Sequence, residues 1–256
     1  MRYPGGKGGA GVHQTIINLM PQHRVYIEPF VGGGNIYLRK KPAASSIVID
    51  ADERSLENLK PHLLPSTITI NGDAVPFLRG YDWQGDELVY CDPPYVMAAR
   101  SGRRLYRHEF TDKQHQDLAS VLLTVPAAVM LSGYRNAIYD DAFSSWHRVD
   151  FQAMTRGGVR IESVWMNYEP PEVPSELTYL GGDYRERERI KRKKARWAAK
   201  LAKLPPAEQA AIMEVLRGIL SPELTVLDLA RDPIAGIDED GQPGGMGLSK
   251  QPKTTV

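Results

Sequence analysis

The chain carries a single cysteine, Cys91, so it has no intramolecular disulfide and no cysteine-built zinc site. Its histidines (His13, His23, His62, His108, His115 and His147) are scattered without the spacing of a ligand set, and no metal is expected. No apolar run is long enough to span a bilayer. The opening residues Met1-Arg2-Tyr3-Pro4 carry no hydrophobic leader, so the expectation is a cytoplasmic protein without membrane contact. Internal repeats are absent. Two phosphate-binding signatures are missing as well. The glycine-rich start around Gly6-Lys7 has no glycine five residues upstream, and Gly8 stands where a Walker A loop needs Ser or Thr. Net charge is nearly absent, at +1 over 256 residues, but that balance conceals an asymmetry. Arg185 to Lys203 holds ten Lys/Arg against two Glu, which leaves the rest of the chain net acidic.

The most informative stretch is Leu88-Val89-Tyr90-Cys91-Asp92-Pro93-Pro94-Tyr95. Its first half is an apolar run with aromatic and β-branched character, which reads as a buried strand. The two prolines then stop it, because each fixes φ, lacks an N–H and restricts the residue before it. A stiff turn at the carboxyl end of a strand is where open α/β sheets place ligands. This one offers a carboxylate, free carbonyls and an aromatic ring, a set suited to a flat heterocycle bearing an exocyclic amine.

The rest of the first 170 residues alternates strand and helix, which predicts an α/β Rossmann-like sheet, mostly parallel, closed by a C-terminal antiparallel hairpin. A helix is expected from Val12 to Met20. Strands are expected at 25–30, 46–50, 67–70, 88–91 and 127–131, and a hairpin from 148–155 and 161–168. Val31-Gly32-Gly33-Gly34-Asn35 reads as a tight loop entering a short helix at 36–39. Tyr37 occupies the position where a dinucleotide fingerprint has glycine, which argues against NAD and leaves a nucleoside-type cofactor open. Asp50 ends the second strand, where a carboxylate takes ribose hydroxyls, while Asp52 or Glu53 suits the start of the next helix. Asp73 follows the third strand, either to bond an adenine amine or to brace the turn. Thr111 or Asp112 with Gln114 forms a capping box for a helix whose buried face is Leu118, Val121 and Leu122.

Beyond residue 170 the pattern changes. Residues 171–180 read as a proline-rich linker, 181–220 as a basic helical extension and 236–256 as a disordered tail. Three basic regions are candidates for nucleic-acid contact: the loop with Arg100, Arg103, Arg104, Tyr106 and Arg107, the hairpin with Arg156 and Arg160, and the helix with Lys191, Arg192, Lys193 and Lys194. The alternative for each is a solvated charged surface.

Taken together, these motifs resemble the D12 class of DNA adenine-N6 methyltransferases, the Dam-like and phage-type enzymes, some of which serve in restriction-modification. The matching pieces are Tyr3-Pro4-Gly5-Gly6-Lys7, Glu28-Pro29-Phe30-Val31-Gly32-Gly33-Gly34, Asp50, Gly72-Asp73 and Asp92-Pro93-Pro94-Tyr95. Tyr106 with Phe110-Thr111, Leu131-Ser132-Gly133-Tyr134 and Trp165-Met166-Asn167-Tyr168 extend the likeness over residues 2–170. The resemblance implies S-adenosylmethionine as methyl donor and double-stranded DNA as partner, with the target adenine flipped out. It also implies that Tyr3 and Lys7 flank the cofactor, that Glu28 lies beside it, and that the Phe30 to Gly34 turn, with Gly32, holds its methionine end. Asp50 would take the ribose and Asp73 the adenine, Asp92 would sit between cofactor and base and touch both, and Pro93, Pro94 and Tyr95 would grip the base with it. Cytosine-N4 or RNA methylation is the alternative chemistry, and a non-catalytic nucleic-acid binder the alternative class. One departure stands out: only eighteen residues separate Asp73 from Asp92, too few for the target-recognition insert of Dam-like members. The target sequence, GATC included, is therefore open.

Overall fold

In this computed structural model the residues described are 6–9, 11–99, 109–155 and 158–220. The strands are β1 (Val25–Glu28), β2 (Ser45–Asp50), β3 (Thr67–Asn71), β4 (Glu87–Cys91), β5 (Ala128–Gly133), β6 (His147–Thr155) and β7 (Gly158–Met166). The helices are α1 (Val12–Asn18), α2 (Glu53–Leu59), α3 (Ala74–Gly80), α4 (Asp112–Leu122), α5 (Ala137–Ala142), α6 (Tyr184–Leu201) and α7 (Pro206–Leu220). By packing, the chain divides into residues 1–191 and 192–256.

The first unit is built on one seven-stranded sheet in the order β3-β2-β1-β4-β5-β7-β6. The first five strands run parallel, while β7 is antiparallel to both β5 and β6. The expected α/β sheet with a closing antiparallel hairpin is what forms. Parallel strands joined by helices are covered on both faces, so their sequences read as unbroken apolar runs. In β4, Leu88 and Tyr90 enter one core with Val12, Ile16 and Leu56, whereas Val89 and Cys91 enter the other with Leu78, Leu118 and Trp165. Cys91 is thus a packing residue, and burial pushes its thiol well above the ordinary range.

Two local expectations change. Residues 36–39 form hydrogen-bonded turns rather than a helix. Leu38 N bonds Gly34 O at 2.9 Å, Arg39 N and Lys40 N both bond Ile36 O at 3.0 Å, and Pro42 has no N–H with which to carry the series on. Tyr37 is buried, and its hydroxyl holds Thr67 Oγ1 and Leu64 N at 2.7 and 2.8 Å, which ties the turn to the start of β3. The second change is α3, a short helix that the sequence pattern does not reveal, started by Asp73, whose Oδ1 accepts from Val75 N at 2.9 Å. The capping box on α4 forms with Thr111 as the cap.

Residues 174–180 lie on the first unit rather than standing away from it: Asn18 Nδ2 donates to Tyr179 O at 2.8 Å, and Ser175 N meets Met20 O at 3.4 Å. Helix α6 has no buried residue, and Lys191, Arg192, Lys193 and Lys194 are all exposed. Within the second unit α7 exposes Met213, Val215 and Ile219. No helix among the described residues is long and apolar enough to cross a membrane.

Candidate active site

The sheet order reverses at β1, which has β2 on one side and β4 on the other. A crevice opens at the carboxyl ends of these strands, as at any such switch point. It is a cleft of about 1010 Å³ bordered by Lys7, Glu28, Phe30, Gly32, Asp50, Asp73, Asp92 and Pro94. Eight of the sequence candidates therefore meet in one place.

The glycine turn forms one wall. Gly32 has φ 48° and Gly34 φ 62°, in the left-handed region that side chains rarely adopt. At Gly34 a Cβ would also stand 2.6 Å from Leu59 Cδ1, so the turn and α2 pack together only because that atom is missing. Asp50 anchors the turn: its Oδ2 accepts from Gly32 N at 2.7 Å and its Oδ1 from Asp52 N at 2.8 Å. Asp52 caps α2 by accepting from Arg54 N at 3.2 Å. The acid at the end of β2 thus has a structural task beside the one expected of it. Phe30 meets Phe110 edge-on at 5.5 Å, and Phe110 meets His115 at 5.0 Å, which gives the cleft an aromatic side.

At the other wall stands Asp92. Its Oδ1 accepts from Lys7 Nζ at 2.7 Å and from Ser132 Oγ at 3.0 Å. Ser132 is itself bonded to Tyr90 OH at 2.9 Å, so with Ser132 donating to Asp92 the tyrosine supplies the donor. Lys7 Nζ also donates to Tyr95 OH and lies 3.5 Å from Glu162 Oε2 on β7. Burial acts against the Lys7 charge, but Asp92, Glu162 and Tyr90 outweigh it and hold the ammonium above its ordinary range. Burial raises the Asp92 carboxyl, against the pull of Lys7. Tyr95 is 7% exposed, with its ring edge-on to Tyr134 at 4.6 Å and the Lys7 ammonium 4.6 Å from its centroid. The resemblance places Lys7 beside the cofactor, and the structure adds its bonds to the Asp92 cluster. Pro93 is buried in the turn and Pro94 borders the cleft.

Ser132 and Glu162 do not stand out in the sequence. The Leu131-Ser132-Gly133-Tyr134 motif is visible there but carries no role, and Glu162 looks like one polar residue in a hairpin. Only the pairing Ser132↔Val164 brings β7 alongside and sets Glu162 over Lys7. Tyr3, Arg100, Arg103, Arg104, Tyr106, Arg107 and Arg156 lie outside the described residues. Arg160 is exposed on β7.

Glu28 is buried and accepts from Tyr26 OH at 2.7 Å. Burial pushes its carboxyl up to about 8, only partly offset by the Tyr26 hydrogen bond. A group that binds its proton more tightly when folded stabilises the fold fully below its unfolded value near 4.5. That contribution disappears as pH rises towards 8. Glu28→Gln, which mimics the protonated acid, is expected to flatten the fall in melting temperature between pH 5 and pH 8. Parallel slopes for both proteins in thermal melts would show that Glu28 is ionised throughout.

The donor set shows which small molecule the cleft fits. Asp50, Asp52 and Asp73 are acceptors for hydroxyls and amines, and Phe30 and Phe110 present apolar faces. Lys7 is already bonded to a carboxylate, so the cleft is poorly made for a dinucleotide's phosphates and well made for a cationic nucleoside.

A parallel sheet in this order, with an antiparallel strand inserted next to last and a glycine turn after β1, defines the Rossmann-like methyltransferase fold. Residues 50–157 match the family model for the D12 class N6 adenine-specific DNA methyltransferases, the family that the sequence motifs resemble. The match supports S-adenosylmethionine as the methyl donor. It begins at Asp50, so Lys7 and the glycine turn join the site through the fold. No curated protein sequence matches the chain. Similar solved structures include an N-methyltransferase from Bradyrhizobium japonicum (11% identity, TM-score 0.44, covering 62% of this chain and 94% of that one). An rRNA methylase from Streptococcus thermophilus is 11% identical, with a TM-score of 0.43 over 60% of this chain and 92% of that one. A precorrin 8W decarboxylase from Methanobacterium thermoautotrophicum is also 11% identical, with a TM-score of 0.42 over 64% and 91%. At such identities the likeness says nothing about substrate.

Proposed function

We propose that the protein methylates the exocyclic N6 of adenine in DNA. The observation that carries this reading is Asp92, held by Lys7 and Ser132 on a stiff proline turn at the edge of a cleft rich in acceptors, inside the stretch that matches the family. S-adenosylmethionine supplies a methyl group on a sulfonium, an electrophile that needs no metal and no covalent intermediate. The chain's own residues hold the nucleophile. An adenine amine is a poor one because its lone pair is delocalised into the ring. With Oδ1 bonded to Lys7 and Ser132, Asp92 turns Oδ2 towards one N6–H, and the Pro93 carbonyl takes the other. This favours a pyramidal nitrogen with its lone pair aimed at the methyl carbon. Lys7 opposes the rise that burial imposes on the Asp92 carboxyl, and after transfer the N6 proton passes to Asp92 Oδ2 or to water. Asp50 and Asp73 serve the donor's ribose and adenine, and the Gly32 turn approaches its methionine end. Base extrusion is required because N6 is out of reach inside a duplex. A DNA substrate fits the cytoplasmic location expected from the sequence.

The test is transfer of labelled methyl to unmethylated DNA by the purified full-length protein, followed by digestion to nucleosides. N6-methyladenine is the expected product. N4-methylcytosine, or label in RNA alone, would replace the substrate assignment, and binding without transfer would leave a nucleic-acid binder.

The basic helix supports DNA as the partner, since Lys191, Arg192, Lys193 and Lys194 are exposed on a helix whose charge the rest of the chain opposes. Each phosphate that a protein neutralises adds about 0.9 to the slope of log affinity against log salt. Replacing these four residues by Ala is therefore expected to lower that slope by up to about 3.6. An unchanged slope in a fluorescence anisotropy titration would assign them to solvent.

A further inference from the structure

The sheet's last pairing between β5 and β7 at the Asp92 end is Gly133↔Ser163. Beyond it the hairpin continues alone, through five pairs from Phe151↔Glu162 to Thr155↔Gly158. At strand spacing, that is a two-stranded ribbon reaching about 15 Å past the neighbouring strand. It rises from the end of the sheet where Asp92 stands, because Cys91 pairs with Leu131 in parallel. The ribbon's base is joined to the site, with Glu162 lying 3.5 Å from Lys7, which holds Asp92.

The two faces of the ribbon differ. Side chains alternate across a strand, so Ala153, Arg160 and Glu162 share one face, on which Ala153 and Glu162 are buried. Met154 and Val159 are directly paired on the other face, and Ile161 follows two residues on. These three are 66%, 54% and 51% exposed. A ribbon tip that does nothing but turn has no reason to present Met, Val and Ile to water. By sequence, residues 151–161 contain Arg156 and Arg160 and no acid, and Glu162 at the ribbon's base lies on the opposite face beside Lys7.

We propose that this ribbon is a DNA wedge, in which Met154, Val159 and Ile161 enter the duplex beside the target and occupy the space vacated when the adenine is extruded. The inference rests on the reading of the protein as a DNA methyltransferase. The major groove of B-DNA admits a two-stranded β-ribbon, and apolar side chains, Met and Ile among them, are the ones that proteins insert between unstacked base steps. The vacated step is an apolar slot between two base faces, which aliphatic carbon fills and water fills poorly. Arg160 and Arg156 give the ribbon the sign that a polyanion attracts. With only eighteen residues between Asp73 and Asp92, no recognition insert is there to perform this task. The ribbon is the element of the described fold that projects beside Asp92 with an apolar surface.

Two measurements on the full-length protein test the proposal, with Met154→Ser/Val159→Ser/Ile161→Ser against wild type. The first is kcat/KM for methyl transfer to one DNA sequence as duplex and as single strand, since only the duplex needs the gap filled. The duplex-to-single-strand ratio is expected to fall at least tenfold in the triple variant. The second is binding to a duplex with one abasic site, read by anisotropy against the intact duplex. Wild type is expected to prefer the abasic duplex at least fivefold, and the variant to lose that preference. An unchanged ratio together with an unchanged preference overturns the wedge. So does a wild-type dimer that the variant converts to monomer while DNA affinity stays the same, because the face then serves a second copy of the chain. If wild type methylates no DNA, the functional reading falls, and the abasic comparison still decides whether the ribbon fills a gap. The three side chains are exposed, so the variant is expected to fold. Should it not, Met154→Ser and Ile161→Ser singly give the same comparisons with smaller effects.

Discussion

Asp92→Asn is expected to lower single-turnover methyl transfer by about 10²–10³-fold while leaving the fold intact, the scale seen when one preorganised electrostatic partner is removed. The choice of asparagine follows from the geometry. Oδ1 of Asp92 faces two donors, Lys7 Nζ and Ser132 Oγ, so the amide oxygen of an asparagine settles there. Its NH₂ group is then turned towards the adenine amine, donor against donor. The substitution keeps shape and packing and inverts the one atom that must accept. Cofactor affinity, measured separately, is expected to change less than turnover, because the glycine turn, Asp50 and Asp73 are on the other wall. Transfer within tenfold of wild type by a folded Asp92→Asn protein would remove Asp92 from the chemistry.

Lys7→Met is expected to destabilise the protein by about 3–5 kcal/mol at pH 7, the cost of removing one partner from a buried ion pair. For a protein of this size that corresponds to roughly 6–20 °C in melting temperature. The reason is what remains. Lys7 is 3% exposed and Glu162 is 6% exposed, and without the ammonium the carboxylates of Asp92 and Glu162 lose the cation that bridges them. Asp92, whose carboxyl burial already raises, then binds its proton more tightly in the folded state than in the unfolded one. The deficit is therefore expected to shrink as pH is lowered and to grow as pH rises through neutrality. Glu162→Gln added to Lys7→Met is expected to recover part of the stability, so the two substitutions are non-additive. Denaturant unfolding of the four proteins at pH 5 and pH 7 measures this. A deficit under about 1 kcal/mol that is indifferent to pH would mean the cluster contributes little to folding.

Much of the site is legible in the sequence because its parts are local. Two prolines after an apolar run force a turn whatever surrounds them, and Thr111 with Gln114 starts a helix by satisfying its own first donors. Asp50 is readable as a strand end because β2 is a short apolar run that stops there, and Asp73 is readable as a turn residue because it follows β3, with its β-branched run, by two residues. Residues 36–39 depart from the expected helix for a local reason as well. Pro42 is too near for a helix to offset its nucleation, and the side chain that settles the turn, Tyr37, finds its partner thirty residues away at Thr67.

By itself the sequence determined that Asp92 stands on a rigid turn, that a glycine loop, a strand-end acid and a turn acid precede it, and that the positive charge is gathered in one helix. These follow from φ restrictions, hydrogen-bond capping and composition, which act over a few residues. Only the tertiary structure decided that Lys7, eighty-five residues away, bonds Asp92, that Ser132 and Glu162 complete the cluster, and that the hairpin outruns its neighbour. Those depend on strand order and register, because a strand shifted by one residue turns every side chain to the opposite face, and no short stretch of sequence carries that information.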